Sequence, residues 1–269
     1  MKILHSLSIG IFALGFTGNV SASLTAEWKF NETSGTTAYD SVGTVNGTLV
    51  GNASFTETGG PSGGGAVDIS RGGYVNMGNN FPSTSTFSIE AWVKIAPGDT
   101  SGSMTVVSKL YGGISQGYFL AINNPDNPPY YPSNLEMFYS ANGPFQAALG
   151  NVALDNGQWH ELVGVYNNGA ASIYVDGNLA GTGSTGYSNV SADFIIGGVG
   201  GAVVNGQPYG NYQGLISDVQ VYNNALSGAD VQALYQSFQT PVPIPPAIWL
   251  FGSALAGFIG FNRRKTIQH

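Results

Sequence analysis

The chain predicts an all-β protein with one short helix near its end, and three observations carry that prediction. Only 9% of the 269 residues are charged while 40 are glycine, a composition suited to short strands and tight turns rather than to helices with salt-bridged faces. The run "FSIEAWVKI" alternates, with Phe87, Ile89, Ala91, Val93 and Ile95 on one side and Ser88, Glu90, Trp92 and Lys94 on the other, as a strand with one buried face should. In "ASIYVDGNLAG", Asp176-Gly177 separates Ile173 and Val175 from Leu179, and Asp-Gly supplies the positive φ angles of a two-residue type I′ hairpin. The length suits one large β domain once processing segments are set aside. With no cysteine, disulfides and thiolate zinc sites are excluded and the core must supply the stability.

Taken in order, the first segment is not expected in the fold. Residues 1–22 carry Lys2, an apolar run from about Leu7 to Phe16, then Val20-Ser21-Ala22, the pattern of a signal peptide cleaved after Ala22. The run is too short to span a bilayer permanently, so the protein is expected to be exported. The body, residues 23–239, follows with its alternating runs. Late in it, "YQGLISDVQVYN" predicts a long strand with Leu215, Ser217, Val219 and Val221 on one face and Ile216, Asp218, Gln220 and Tyr222 on the other. A helix is predicted from Ser227, with Asp230 completing an approximate capping box and Val231, Leu234 and Tyr235 at helical spacing. No fixed period of 20 to 50 residues recurs, which disfavours a solenoid or propeller.

Residues 240–246 read as a proline-rich linker and residues 247–269 as an apolar helix with a basic end. The apolar stretch Ala247–Phe261 precedes Arg263, Arg264 and Lys265, a stop-transfer pattern that leaves the basic cluster in the cytoplasm. It is short, and Gly252, Gly257 and Gly260 weaken it, which suits a temporary anchor. The tail "VPIPPAIWLFGSALAGFIGFNRRK" resembles the PEP-CTERM class of bacterial sorting signals in its V-P-x-P-A variant, through Val242, Pro243, Pro245, Ala247, Leu250, Phe251, Gly252 and Ser253. Pro246 and the replacement of the central Glu by Pro depart from the parent motif. The resemblance implies an exosortase as processing partner, an inner-membrane precursor, and delivery to the surface or matrix of a Gram-negative cell that makes exopolysaccharide.

Without both ends the body keeps four basic residues against 15 acidic, a net charge of −11, compared with −7 for the whole chain. Such a body repels nucleic acid and anionic lipid, and divalent cations and neutral polymers are its more natural partners.

A second resemblance covers nearly the whole body. The phrases "AEWKFNETSGTTAYDSVGTVNGTLVG", "FSIEAWVKI", "GQWHELVGVYNNGAASIYVDGNLAG", "FIIGG" and "LISDVQVYNNALSGADVQALY" occur in this order and are similar to the LamG-like, concanavalin A-like domains of bacterial surface proteins. The resemblance implies a jelly-roll sandwich of two antiparallel sheets. It spans lectins, adhesion modules and accessory domains of glycosidases, so fold alone narrows function little.

Tests for catalysis are negative. Retaining hydrolysis needs two carboxylates about 5 Å apart, and no glutamate has an aspartate two residues on. Glu90 lacks a partner in sequence and reads as a surface or ion-pair residue. The strings "GPSGG" and "GISQG" do not sit on a strand-to-helix elbow. His160, the sole histidine of the body, lies in "HELVG", where Gly164 replaces the second ligand of a zinc motif; it reads as a strand residue beside Trp159. Asp218 is costly to bury unless paired or cation-bound. The resemblance implies a structural calcium ion held by Asp218 with Asp40 in the N-terminal loop, oxygen ligands suiting that ion; the alternative is a hydrogen-bonded aspartate. Two loops carry candidate glycan contacts, Tyr130 and Tyr131 in "NNPDNPPYYPSN" and Tyr209 and Tyr212 in "GQPYGNYQG", since rigid rings beside amides can stack on a sugar. The same tyrosines could instead pack the loops onto the sandwich. Trp28, Trp92 and Trp159 read as core, with Trp92 on the polar side of its strand.

The expected product is an exported, non-enzymatic surface or matrix protein that binds exopolysaccharide or another glycan. A structural surface protein without sugar binding is the alternative, and a divergent lyase or hydrolase using tyrosine and Arg71 is a third.

Overall fold

The computed structural model describes residues 23–57, 59–69, 72–81, 84–97, 104–111, 116–122, 136–141, 147–184, 186, 189–204, 207–209 and 212–239. In chain order its elements are β1 (Leu24–Trp28), β2 (Thr37–Ala38), β3 (Gly47–Val50), β4 (Ser54–Thr56), β5 (Ala66–Asp68), β6 (Tyr74–Asn76), β7 (Thr86–Lys94), β8 (Met104–Tyr111) and β9 (Gln116–Ile122). They continue with β10 (Glu136–Ala141), β11 (Ala147–Leu149), β12 (Trp159–Asn167), β13 (Ala170–Val175), β14 (Asn178–Ser184), β15 (Ile195–Ile196), β16 (Val199–Val204), β17 (Gln207–Tyr209), β18 (Leu215–Tyr222) and α1 (Gly228–Gln239).

Two antiparallel sheets stack into a jelly-roll sandwich. The first runs β14-β13-β12-β7-β18-β5-β4, with β1 also paired to β18; the second runs β11-β10-β9-β8-β15-β6-β3-β2. Between them lies the core, where Phe87, Ile89, Ala91 and Val93 of β7 meet residues such as Val106, Tyr118, Leu120 and Ile196 of the second sheet. The hairpin predicted at Asp176-Gly177 forms, with φ of 50° and 74° and Val175 opposite Asn178. Gly177 matters twice, because a Cβ there would also lie 3.0 Å from Tyr235.

Two sequence expectations need correction. The interior of β7 is buried on both faces, because α1 covers the side that the alternation assigned to solvent. Strand β18 does not alternate throughout: Ile216, Val219 and Val221 all join the core. Asp218 is an extra residue at φ 46°, and the register against β7 shifts between Ser217 and Gln220, so a bulge resets which residues face inward. The far edge of β18 changes partner at this point, from β5 at Leu215 and Ile216 to β1 from Val219 onward.

The helix begins as predicted. Ser227 N donates to Asp230 Oδ2 at 2.9 Å and Asp230 N donates to Ser227 Oγ at 3.2 Å, a reciprocal capping box. Val231 is fully buried and packs with Val163, Val165, Tyr222 and Leu226 as a small second core on the outer face of the first sheet. Among the described residues no helix is long and apolar enough to cross a membrane. Residues 1–22, the linker and the sorting residues Val242, Pro243, Pro245, Ala247, Arg263, Arg264 and Lys265 lie outside the described residues.

Candidate functional site

A cavity of about 510 Å³ opens beside β8, lined by Asn79, Asn80, Phe81, Lys109, Asn189, Val190 and Ser191. Its walls are two loops, one between β6 and β7 and one leading into β15. They are tied together by backbone bonds from Met77 N to Phe194 O and from Phe194 N to Gly78 O, each 2.9 Å. Phe81 adopts φ 50°, a sparsely populated conformation for a bulky residue. That turn sets its ring edge-on to Trp28 and Phe194, centroids 5.7 and 5.8 Å away.

Lys109 holds the walls. It is 2% exposed, and its Nζ donates to Asn79 Oδ1 at 2.7 Å, Asn80 O at 3.0 Å and Ala192 O at 2.7 Å. Asn79 Nδ2 in turn donates to Ser191 Oγ at 2.9 Å, which fixes the orientation of that amide. An ammonium has three protons, and all three are engaged, so Lys109 has none left for a ligand. Burial pulls its pKa below the usual lysine value while the charge of Asp193 opposes that. Asn79, Asn80, Asn189 and Ser191 are exposed, and Phe81 is half-buried beside them. Amides and a hydroxyl around an aromatic ring can hydrogen-bond the hydroxyls and cover the apolar face of a polyol.

The residues expected from sequence distribute differently. Tyr130 and Tyr131 lie outside the described residues, and for Tyr209 only the backbone strand is described. Tyr212 is corrected: it is 0% exposed within the sandwich core, because a large ring at the entry to β18 gains more by leaving water than by standing on a loop. Trp28 is core as expected. Trp92 is buried under α1, stacked on Tyr235 with centroids 5.8 Å apart and planes 12° apart.

Asp40 and Asp218 are not brought together. β1 runs between them, with Trp28 bridging to Asp40 and pairing with Val219. Asp40 Oδ1 accepts from the backbone N–H of Glu27, Val42 and Gly43, and Oδ2 from that of Val45. These bonds hold its carboxyl below the usual value against the opposing effect of burial. Oδ1 is thus taken up by three backbone donors and Oδ2 by one, so the loop is held by its own hydrogen bonds. Asp218 accepts from Ser217 Oγ at 2.8 Å, and burial pushes its carboxyl up to about 6. Among the described residues no hydrogen bond joins Asp40 to Asp218, and a calcium ion held by the two rests on the sequence resemblance alone. Among the described residues no group of three or more His, Asp or Glu side chains converges as a metal site.

Glu90 is also corrected. It is fully buried beside Glu161, not a surface residue. Two carboxyl groups side by side invite comparison with a glycosidase pair, but α1 seals them from substrate. His160 sits in β12, its Nδ1 2.8 Å from Asp176 Oδ2 and its Nε2 3.1 Å from Asn156 Oδ1, with no nucleophile among those partners.

A family model described as the concanavalin A-like lectin/glucanases superfamily (Laminin_G_3) matches residues 69–232. The chain belongs to this superfamily. Its fold is shared by domain 4 of AbnA, a GH43 extracellular arabinanase from Geobacillus stearothermophilus solved in complex with arabinotriose. The two are 20% identical with a TM-score of 0.62, covering 80% of this chain and 99% of that one. The botulinum neurotoxin type G receptor binding domain aligns at 15% identity and TM-score 0.56, covering 80% of this chain and 51% of that chain. A Trypanosoma rangeli sialidase aligns at 19% identity and TM-score 0.55, covering 81% and 33%. This superfamily member thus spans the whole arabinanase domain but half of the toxin domain and a third of the sialidase. A search of curated proteins gave no match.

Sequence reasoning passed over the cavity residues. The signal available was two asparagine-containing loops, "NMGNN" and "SNVSAD", but their meeting 112 residues apart, at Asn79 and Ser191, is a tertiary fact.

Proposed function

We propose that this protein is an exported, non-catalytic glycan-binding module whose cavity beside β8 holds a neutral segment of a surface or matrix polysaccharide. The observation that carries this is the cavity's lining: four exposed polar side chains, Asn79, Asn80, Asn189 and Ser191, grouped around the half-buried ring of Phe81. A neutral ligand is favoured by the net charge of −11 on the body, and Lys109, whose protons are all engaged within the protein, offers an anionic sugar no donor. The arabinanase domain solved with arabinotriose supports the reading by fold. Delivery by a PEP-CTERM-type signal and an exosortase is proposed on the tail pattern alone. Such shallow sites bind weakly one at a time and gain strength from many copies along one polymer.

Calorimetric titration with arabinotriose, with a uronic-acid oligomer and with the producing cell's own exopolysaccharide tests this, each run with calcium and with chelator and followed by sizing of the polymer. Saturable heat with the neutral ligands, lost in Asn79→Ala and Asn189→Ala, and unchanged polymer length are expected. Absence of heat throughout would leave a structural surface protein as the better account, and shortened polymer would revive an enzyme.

A further inference from the structure

Glu90 of β7 and Glu161 of β12 lie on the outer face of the first sheet. Register pairs Glu90 with Val163 and Trp92 with Glu161, so the glutamates are diagonal neighbours on one face. Both are 0% exposed. Their roof is α1, which places Val231 and Leu234 against Val163, Val165 and Tyr222 and lays Tyr235 and Phe238 on Trp92 at 5.8 and 5.0 Å.

The polar surroundings offer the pair little. From β7, Ser88 Oγ donates to Asn224 O at 3.0 Å. From β18, Tyr222 donates to Gln220, and Gln220 Nε2 donates to Glu27 of β1 at 3.2 Å. Glu27 is itself paired with Lys29 at 3.2 Å. At the β13–β14 turn Asp176 is engaged with His160. On α1 the facing titratable group is Tyr235, raised by burial and by the charges of Asp176 and Glu161. The charges that act on the pair from outside it are acidic: Asp218 on Glu90 and Asp176 on Glu161.

As two carboxylates the pair would leave both oxygens of Glu90 and Oε1 of Glu161 without a hydrogen bond in the docked geometry. The indole N–H of Trp92 is the one neutral donor acting on Glu90, and the weakest of the influences on it, while Glu161 Oε2 accepts from Gly177 N at 3.1 Å. A buried unpartnered charge is among the costliest arrangements in a protein. One proton resolves it, because a protonated Glu90 can donate to the neighbouring Glu161, whose charge and acceptor oxygens are among the causes that raise Glu90. Burial, then repulsion by Glu161, raise Glu90 well above the usual carboxylate range, and burial pushes Glu161 up to about 7.

We propose that this pair is a proton-operated latch for α1: while Glu90 and Glu161 share a proton the helix stays docked on the first sheet, and loss of that proton frees it. The sign follows from the raised values. A docked state that holds protons more tightly than the open state is strongest at low pH and weakens as pH rises from about 4.5 through 7 and beyond.

Hydrogen exchange of the full chain by mass spectrometry, from pH 6 to 9 and corrected for intrinsic amide rates, tests it. Protection across 228–239 is expected to fall by up to about tenfold per pH unit, while β8 and β9 keep theirs and Glu161→Gln flattens the profile. Constant helix protection in the native protein would overturn the latch. So would joint loss from α1, β8 and β9, which would mark global unfolding, or a native slope in the glutamine variant. If Glu161→Gln fails to fold, Glu90→Gln takes its place, and the native profile stands as a test on its own.

Discussion

The cavity beside β8 and the acid pair under α1 solve the same problem in opposite ways. Lys109 is nearly as buried as the two glutamates, yet each of its protons meets an oxygen drawn from two loops. Glu90 and Glu161 are buried with acids for neighbours and must draw a proton from solvent to satisfy each other. The first arrangement is fixed near neutral pH and can present a constant surface to a ligand. The second carries a built-in dependence on acidity. A buried charge is thus a scaffold where complementary partners surround it, and a sensor where they do not.

Breaking the scaffold should have the largest effect. Lys109→Met leaves the carbonyls of Asn80 and Ala192 without their donor, and is expected to destabilise the fold by about 2–4 kcal/mol and abolish the heat of glycan binding. Urea denaturation and calorimetry measure the two losses; native stability in this variant would show that the cavity walls stand without it.

The sensor should respond with opposite sign. The raised Glu161 carboxyl is a destabilising feature that is absent below the unfolded value of about 4.5 and complete above its folded value of about 7. Glu161→Gln, whose amide can still accept from Gly177 and can donate to Glu90, is expected to stabilise by up to about 3 kcal/mol at pH 8 and by little at pH 4. Scanning calorimetry across that range compares the melting temperatures; a pH-independent difference would contradict the assignment.

Asp40 provides a control, a carboxylate satisfied by backbone donors. Asp40→Ala should cost about 1–3 kcal/mol at pH 7, and because its folded pKa is lowered, that stabilisation is present above the ordinary aspartate range and fades as pH falls through the folded value. Melting curves with calcium and with chelator add a further check, since a calcium-dependent melting temperature lost in Asp40→Ala would mark this residue as a ligand. The smallest effect is expected from Ser227→Ala, which removes the cap of α1 and should cost about 1 kcal/mol, read as faster exchange in the first turn of the helix.

The strand "FSIEAWVKI", the hairpin at Asp176-Gly177 and the capping box at Ser227 were legible because each rests on local rules: side-chain period, backbone φ preference and a hydrogen bond three residues away. Glu90 was misread for a corresponding reason. Its local pattern says polar face, and nothing within β7 says that a helix more than a hundred residues later will cover that face or that Glu161 will stand beside it. Tyr212 looked like a loop aromatic for the same reason. Strand β18 shows the limit from another side, since period two holds on either side of Asp218 but the bulge between them inserts one residue.

The sequence by itself determined the all-β class, the superfamily, the hairpin and the capped helix, because glycine turns, alternation and caps act over a few residues. Only the tertiary structure decided where polar groups found their partners. Whether an amide, an ammonium or a carboxyl group is open to a ligand, locked into a scaffold or left to hold a proton depends on what packs against it, and those neighbours come from distant parts of the chain.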